Sequence, residues 1–329
     1  MASAERPRVF VTRRLPGDAL ERLSAVALVD VWQHDLPPSR DELVAAVREA
    51  DGLICLLTDR IDAGVLDAAP RLRVVSTMAV GYDHIDVAAA TARGIPVGHT
   101  PGVLTETTAD LAWALLLATA RRVVEGDRFV REGRWKTWDP NLLLGYDVHG
   151  ATLGVVGMGA IGQAVARRAV GFGMRVLYTR RSAGEAEIGR RVSLEELLRE
   201  SDFVSLHVPL TAETRHLIGE RELRLMKRTA ILINTARGPV VDQAALAAAL
   251  REGVIAGAGV DVTEVEPIPP DDPLLAAPNV VILPHIGSAS HATRARMAEM
   301  AVENCIAGLE GRPVPHCVNR EVERGRQST

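Results

Sequence analysis

Residues 153–162 read Leu-Gly-Val-Val-Gly-Met-Gly-Ala-Ile-Gly, and this stretch constrains the chain more than any other. Gly157, Gly159 and Gly162 form G-x-G-x-x-G between an apolar run and an Ala-rich run. In that setting the glycines do separate jobs. The first permits a tight strand-to-helix turn, the second lets a phosphate reach the backbone, and the third lets helix and strand pack closely. The free N–H groups and the dipole at the helix start then hold an anion. The motif lies mid-chain, so another domain precedes it.

The flanking pattern agrees. Short apolar runs at 9–11, 27–31, 53–57, 74–77 and 96–98 read as buried parallel strands. A second series falls near 152–156, 174–179, 202–206, 230–234, 256–260 and 280–283. Helices are expected at 17–23, at 160–171, 193–200, 219–226 and 242–252, and finally at 288–309. Another starts at Ser39, which has Glu42 at the capping-box spacing. The fold class is therefore α/β, with two Rossmann-like, doubly wound parallel-sheet domains. Residues 104–122 are helical and too apolar for one exposed face, so they read as buried between layers or in a subunit interface. Charges then alternate around Trp135 and Trp138 as far as Tyr146.

Composition narrows the partners. A net charge of -4 and a pI near 6.2 leave no basic excess for nucleic acid or an anionic membrane. The longest clean apolar run, 111–120, is too short to span a bilayer. The first residues, Met-Ala-Ser-Ala-Glu-Arg-Pro, hold no apolar signal core. Cys55, Cys305 and Cys317 form no C-x-x-C and leave one unpaired, which excludes a disulfide scaffold and fits a reducing, cytoplasmic setting. No metal site is expected.

The strand after the glycine turn runs into Thr179-Arg180-Arg181-Ser182. An NAD-binding fold places Asp or Glu here on the ribose 2′-hydroxyl. No acid occurs before Glu185, and Arg180, Arg181 and Ser182 can hold a 2′-phosphate instead. Of the 38 Lys and Arg residues only Lys136 and Lys227 are lysine, so Arg pairs are common in this chain. The missing acid is the better evidence. It predicts NADPH as the preferred cofactor, with NADH as the other nicotinamide donor.

Three later strands end in residues that suit one chemistry. The run 230–234 is followed by Thr235-Ala236-Arg237-Gly238. The run 256–260 leads to Asp261 and then Glu266. The run 280–283 leads to Pro284-His285-Ile286-Gly287. Carboxyl ends of parallel strands are where open α/β sheets bind ligands. With hydride chemistry supplied by a nicotinamide, Arg237 can clamp a substrate carboxylate. His285 can protonate the carbonyl oxygen, and Glu266 can hold the imidazole and favour its charged form. Singly each residue is ordinary; the shared strand-end placement carries the reading.

Over nearly its whole length the chain resembles the D-isomer-specific 2-hydroxyacid dehydrogenases. The segments 76–86, containing Met78-Ala79-Val80-Gly81-Tyr82-Asp83-His84, and 206–211, Leu-His-Val-Pro-Leu-Thr, carry the likeness, as do 231–238 and 284–290. His99-Thr100-Pro101-Gly102-Val103-Leu104-Thr105-Glu106 resembles the glyoxylate/hydroxypyruvate reductase branch. The resemblance implies a catalytic set of Arg237, Glu266 and His285. It implies cofactor contacts from Gly157, Met158, Gly159, Ala160, Ile161, Gly162, Arg180, Arg181, Ser182, His207, Pro209, Thr235, Ala236, Asp261 and Gly287. It also implies that the Val80 and Gly81 N–H groups take the substrate carboxylate alongside Arg237. A glycine suits that loop because a backbone must approach an anion closely there.

Departures from neighbouring families narrow the substrate. Glu266 stands where formate dehydrogenases carry an amide, and Val80 where phosphite dehydrogenases carry a lysine. No regulatory domain of the long phosphoglycerate dehydrogenases is expected after Thr329. What remains is NADPH-dependent reduction of a small 2-oxo acid, glyoxylate or hydroxypyruvate. The alternatives are another substrate within the family, or a dinucleotide-sensing, corepressor-like binding protein. The expected domains are a substrate domain formed by 1–103 and 289–329, and a nucleotide-binding domain with a dimerisation arm over 104–288. A homodimer is expected on that arm, with Trp138 walling the partner's substrate pocket.

Overall fold

The computed structural model describes residues 6–181 and 183–326. The chain divides into two compact units, Met1–Leu104 with Ala289–Thr329, and Thr105–Ser288.

The first unit alternates β1 (Arg8–Val11), α1 (Ala19–Val26), β2 (Leu28–Val31), α2 (Arg40–Val47), β3 (Gly52–Cys55), α3 (Ala63–Asp67), β4 (Val74–Thr77), α4 (Val87–Ala92) and β5 (Val97–Gly98). The strands are parallel in the order β2-β1-β3-β4-β5. β3 and β4 are buried at every position, because helices cover both faces. β2 lies at the edge and alternates exposed with half-buried residues. Ser39 caps α2 in a complete capping box with Glu42.

The second unit begins with α5 (Thr105–Ala120) and α6 (Val123–Arg131). It continues through β6 (Thr152–Val156), α7 (Ala160–Gly171), β7 (Arg175–Thr179), β8 (Arg190–Arg191), α8 (Leu194–Glu200), β9 (Phe203–Leu206), α9 (Glu220–Leu225), β10 (Ile231–Asn234), α10 (Gln243–Arg251), β11 (Gly257–Val260) and β12 (Val280–Ile282). Its seven strands are parallel in the order β12-β11-β10-β9-β6-β7-β8, with one apolar cluster on each face. The register sets Asn234 beside Val260 and Val260 beside Ile282. The chain therefore leaves three neighbouring strands at one level, spaced by about 4.8 Å per strand.

α5 resolves one open reading. Eight of its residues are buried, Trp113 among them. The Trp113 ring stacks on Phe172 at 4.6 Å, and its Nε1 donates to the Val165 carbonyl at 3.1 Å. Gly259 on β11 admits the helix closely, since a Cβ there would lie 3.0 Å from Thr119 Oγ1 and 3.1 Å from Leu115 Cβ. The apolar helix is thus interior to its own unit. The arm beyond it is not: α6 has no buried residue, and Trp138 is 78% exposed.

The chain returns to the first unit through α11 (His291–Leu309), which Ser290 caps. α11 packs on the sheet closely enough that Ser76 Oγ donates to the Ala301 carbonyl at 2.8 Å. A short α12 (Glu321–Arg326) follows. Asn319 anchors its start by accepting from Val97 N at 2.8 Å and donating to Thr91 Oγ1 and the Ile95 carbonyl. Among the described residues no helix is long and apolar enough to cross a membrane.

Candidate active site

The glycine turn has the geometry of an anion cradle. Gly157 adopts φ 99°, and a Cβ there would sit 2.7 Å from the His207 carbonyl. A Cβ on Gly162 would lie 2.2 Å from the Gly157 carbonyl, so helix and strand can meet only at a glycine. A Cβ on Gly159 would meet nothing within 4 Å; it would fill the open cradle itself. Gln163 is the first α7 residue whose N–H bonds back, to the Gly159 carbonyl at 2.9 Å. The N–H groups of Ala160, Ile161 and Gly162 precede it, aligned with the positive end of the helix dipole. The residues present therefore fit a dinucleotide pyrophosphate. Met158 is the inward-facing member of the turn. Its side chain is 1% exposed within the core, and its N–H donates to the Thr179 carbonyl at 3.2 Å, as does that of Gly157.

β7 delivers half-buried Arg180 and exposed Arg181 to the next strand end. Arg191 Nη2 donates to the Arg180 carbonyl at 2.6 Å. Ser182 lies outside the described residues. Nearby Glu213 is held below the usual carboxylate range, first by the Thr211 hydroxyl at 2.7 Å, with a smaller contribution from Arg181.

At the end of β9, His207 N donates to the Val156 carbonyl at 2.8 Å, and its Nε2 meets Ser205 Oγ at 2.8 Å. Desolvation pushes this imidazole down to about 4, so it is neutral at pH 7. Pro209, two residues on, is exposed.

The end of β10 is shaped by buried Asn234. Its Oδ1 accepts from Ala236 N and its Nδ2 donates to the Arg237 carbonyl, each at 3.0 Å. That closes the turn Thr235-Ala236-Arg237. Thr235 Oγ1 is buried without a protein partner, an orphaned hydroxyl suited to a bound polar group. Arg237 is half-buried, and its Nη1 donates to the Ala236 carbonyl at 2.8 Å. The next residue must be glycine, because a Cβ on Gly238 would lie 1.9 Å from the Thr263 carbonyl.

At the ends of β11 and β12 the catalytic candidates come together. Asp261 is 1% exposed, and its carboxylate accepts from Ile286 N and Gly287 N, both at 2.7 Å. Its carbonyl accepts from His285 N at 2.8 Å. Burial pushes the Asp261 carboxyl up, while those N–H bonds and His285 pull it down. Both of its oxygens are thus engaged in positioning His285. His285 sits at φ 56°, in the left-handed region, and its Nδ1 meets Glu266 Oε2 at 2.7 Å. A carboxylate only accepts, so Nδ1 carries a proton and Nε2 is left to exchange one.

The Glu266 loop is held by residues that local sequence does not reveal. Thr263 N donates to Glu266 Oε1 at 3.2 Å, and Glu264 N donates to Gln243 Oε1 at 2.9 Å. Gln243 Nε2 in turn donates to Asp272 Oδ2 at 2.6 Å, and His216 pairs with Glu264. Gln243 reads in the sequence only as a helix start. In the first unit, Val80 and Gly81 are half-buried in the loop after β4. Trp138 lies on the exposed arm.

The His207 environment gives a stability test. A folded value of about 4 against an unfolded value near 6.5 favours the neutral ring. This stability is fully present above pH 6.5 and is lost as pH falls through 4, by on the order of 3 kcal/mol. Urea midpoints measured between pH 7 and pH 4 should fall less steeply in His207→Gln than in wild type. Parallel profiles would refute the assignment.

A family model described as D-isomer specific 2-hydroxyacid dehydrogenase, NAD binding domain, matches residues 113–287. A glyoxylate reductase of Korarchaeum cryptofilum is 62% identical over 326 residues, covering 98% of each chain. A glyoxylate reductase of Thermococcus kodakarensis is 54% identical over 330 residues, covering 98% of this chain and 99% of that one. Among solved structures, an NADPH-dependent glyoxylate/hydroxypyruvate reductase from Sinorhizobium meliloti, in complex with NADP and malonate, superposes with a TM-score of 0.86 at 36% identity. That match covers 95% of this chain and 97% of that one.

Proposed function

Because the chain belongs to the D-isomer-specific 2-hydroxyacid dehydrogenase family, we propose that it reduces glyoxylate or hydroxypyruvate to glycolate or D-glycerate, with NADPH as the preferred reductant. The observation that carries this reading is the His285–Glu266 pair, 2.7 Å apart at neighbouring strand ends beside the Arg237 turn. The 105–288 unit is the cofactor domain of the proposal, and the other is the substrate domain.

A nicotinamide cofactor, when bound, would supply the hydride chemistry. His285 supplies the matching proton from Nε2 to the carbonyl oxygen. Glu266 holds the ring through Nδ1, and Asp261 fixes the backbone from which it projects. The Arg237 fork takes the substrate carboxylate, and the Val80 and Gly81 N–H groups are assigned to the same group. Gly159, Ala160 and Ile161 would hold the pyrophosphate, and Thr235 would offer its orphaned hydroxyl. The three cysteines are buried free thiols, which suits work in the cytoplasm.

The test is consumption of NADPH with glyoxylate or hydroxypyruvate, followed by its absorbance. His285→Ala should lose mainly kcat, by more than about tenfold, through loss of proton delivery. Arg237→Ala should lower kcat and raise KM together, since the clamp both binds and orients. A His285→Ala enzyme within about tenfold of wild type rejects the general-acid role.

NADPH preference rests on the two arginines after β7 and on the absence of an acid there. Arg180→Asp should shift kcat/KM toward NADH, by weakening 2′-phosphate binding and supplying a ribose acceptor. Equal use of both cofactors by wild type defeats the reading.

We also propose a two-fold dimer built on the arm, where Val123, Val124, Val130, Trp135 and Trp138 are each exposed. Trp138 would then wall the substrate pocket of the partner subunit. Trp138→Ala should stay dimeric by light scattering yet change relative kcat/KM among 2-oxo acids. Loss of the dimer with unchanged selectivity would assign Trp138 to the interface alone.

A further inference from the structure

The geometry points to His99 as a positioning residue that aims the carboxylate-binding loop of the first unit. This role rests on the proposed assignment of Val80 and Gly81 to the substrate carboxylate.

The argument starts from the peptide plane. In a trans peptide the C=O and the following N–H point in opposite directions. Fixing a carbonyl on one side therefore aims the next residue's N–H to the other. After β4, the Ala79 carbonyl accepts from Thr100 N at 2.9 Å. The Val80 carbonyl meets His99 Nδ1 at 2.9 Å. Adjacent residues, His99 and Thr100, thus hold two successive carbonyls against the same segment. The N–H groups of Val80 and Gly81 are turned away from it, and among the described residues neither donates to a backbone or side-chain acceptor. Both residues are half-buried. Two successive free N–H groups are a site for an anion.

The two braces are unequal in kind. Thr100 acts through its backbone and survives any side-chain change. The Val80–Gly81 peptide depends on a side chain, and it ends at a glycine, the residue least able to resist a peptide flip. His99 is the group that opposes that flip.

His99 is built to do so. Its N–H donates to the His316 carbonyl at 3.1 Å, and its carbonyl accepts from Asn304 Nδ2 at 2.9 Å. Asn304 is fully buried on α11 and also accepts from His316 N at 3.1 Å. Its side chain packs on the strand end so closely that a Cβ on Gly98 would lie 2.7 Å from Asn304 Cβ. The Tyr82 ring stands edge-on to the imidazole, with centroids 5.6 Å apart and planes at 83°. A carbonyl only accepts, so Nδ1 must carry the proton. Burial, with His316 adding to it, holds this imidazole below the usual histidine range, so the ring is neutral with its one proton on Nδ1.

The experiment compares His99→Leu, which removes the donor, with His99→Asn, whose amide Nδ2 can stand near Nδ1. Each is assayed with NADPH and either glyoxylate or its uncharged methyl ester, beside thermal melting and NADPH binding by fluorescence. His99→Leu should lose about tenfold or more in kcat/KM for glyoxylate, chiefly through KM. It should leave ester turnover and NADPH binding within about threefold of wild type, and His99→Asn should recover most of the glyoxylate loss. Unchanged glyoxylate kinetics in a folded His99→Leu would overturn the proposal. So would equal losses on acid and ester, or an Asn variant that folds and is as impaired as Leu. If wild type turns over acid and ester alike, the carboxylate assignment of Val80 and Gly81 falls and the proposal with it. If wild type prefers the acid and His99→Leu keeps that preference, the brace alone falls.

Discussion

The hold of Asp261 on the segment after β12 is the interaction from which the chemistry of the second unit follows. A non-glycine residue in the left-handed region costs about 1–2 kcal/mol. His285 occupies that region. Hydrogen bonds to a charged group contribute about 1.5–3 kcal/mol each, and the Asp261 carboxylate accepts two of them, from Ile286 and Gly287. Two such bonds outweigh the backbone strain, so the unusual turn persists. That turn brings Nδ1 of His285 to the Glu266 carboxylate and frees Nε2 for a proton.

The partner loop is fixed by a different device, close approach. Gly238 lies so near the Thr263 carbonyl that no side chain fits between them. Gln243 then ties Glu264 to Asp272 across the same corner. The arginine turn, the glutamate loop and the histidine turn are therefore one connected structure rather than three independent loops. The glycine turn after β6 works similarly, its three glycines marking two tight contacts and one opening. Function here depends on a few atoms held where sheet register has already brought the chain ends together.

Features that depend on local pattern were legible in the sequence. Apolar runs flanked by turns identify the parallel strands, and Gly157, Gly159 and Gly162 mark the phosphate turn without any tertiary information. Arg237, Glu266 and His285 stand out in the sequence as candidates because each follows a strand end, three, six and three residues beyond Asn234, Val260 and Ile282. Features that depend on distant packing were not. Met158 sits inside the motif but turns inward, since the core beneath β6 takes its side chain. Asp261 reads in the sequence as a cofactor ligand, and the pattern does not show that its oxygens also accept from amides 25 and 26 residues away. Residues 104–122 read equally well as interlayer or interface, and only the stacking of Trp113 on Phe172 decides between them. Gln243 and His99 carry no local signal, because their partners lie 21 and 19 residues distant.

The central claim is that the Glu266-bound imidazole of His285 delivers the proton during reduction. The kcat of Glu266→Ala for glyoxylate reduction, measured beside NADPH binding by fluorescence, tests it most directly. Removing the carboxylate that holds the ring through Nδ1 should lower kcat by about tenfold or more and leave NADPH binding within about threefold of wild type. An unchanged kcat in a folded Glu266→Ala would contradict the account.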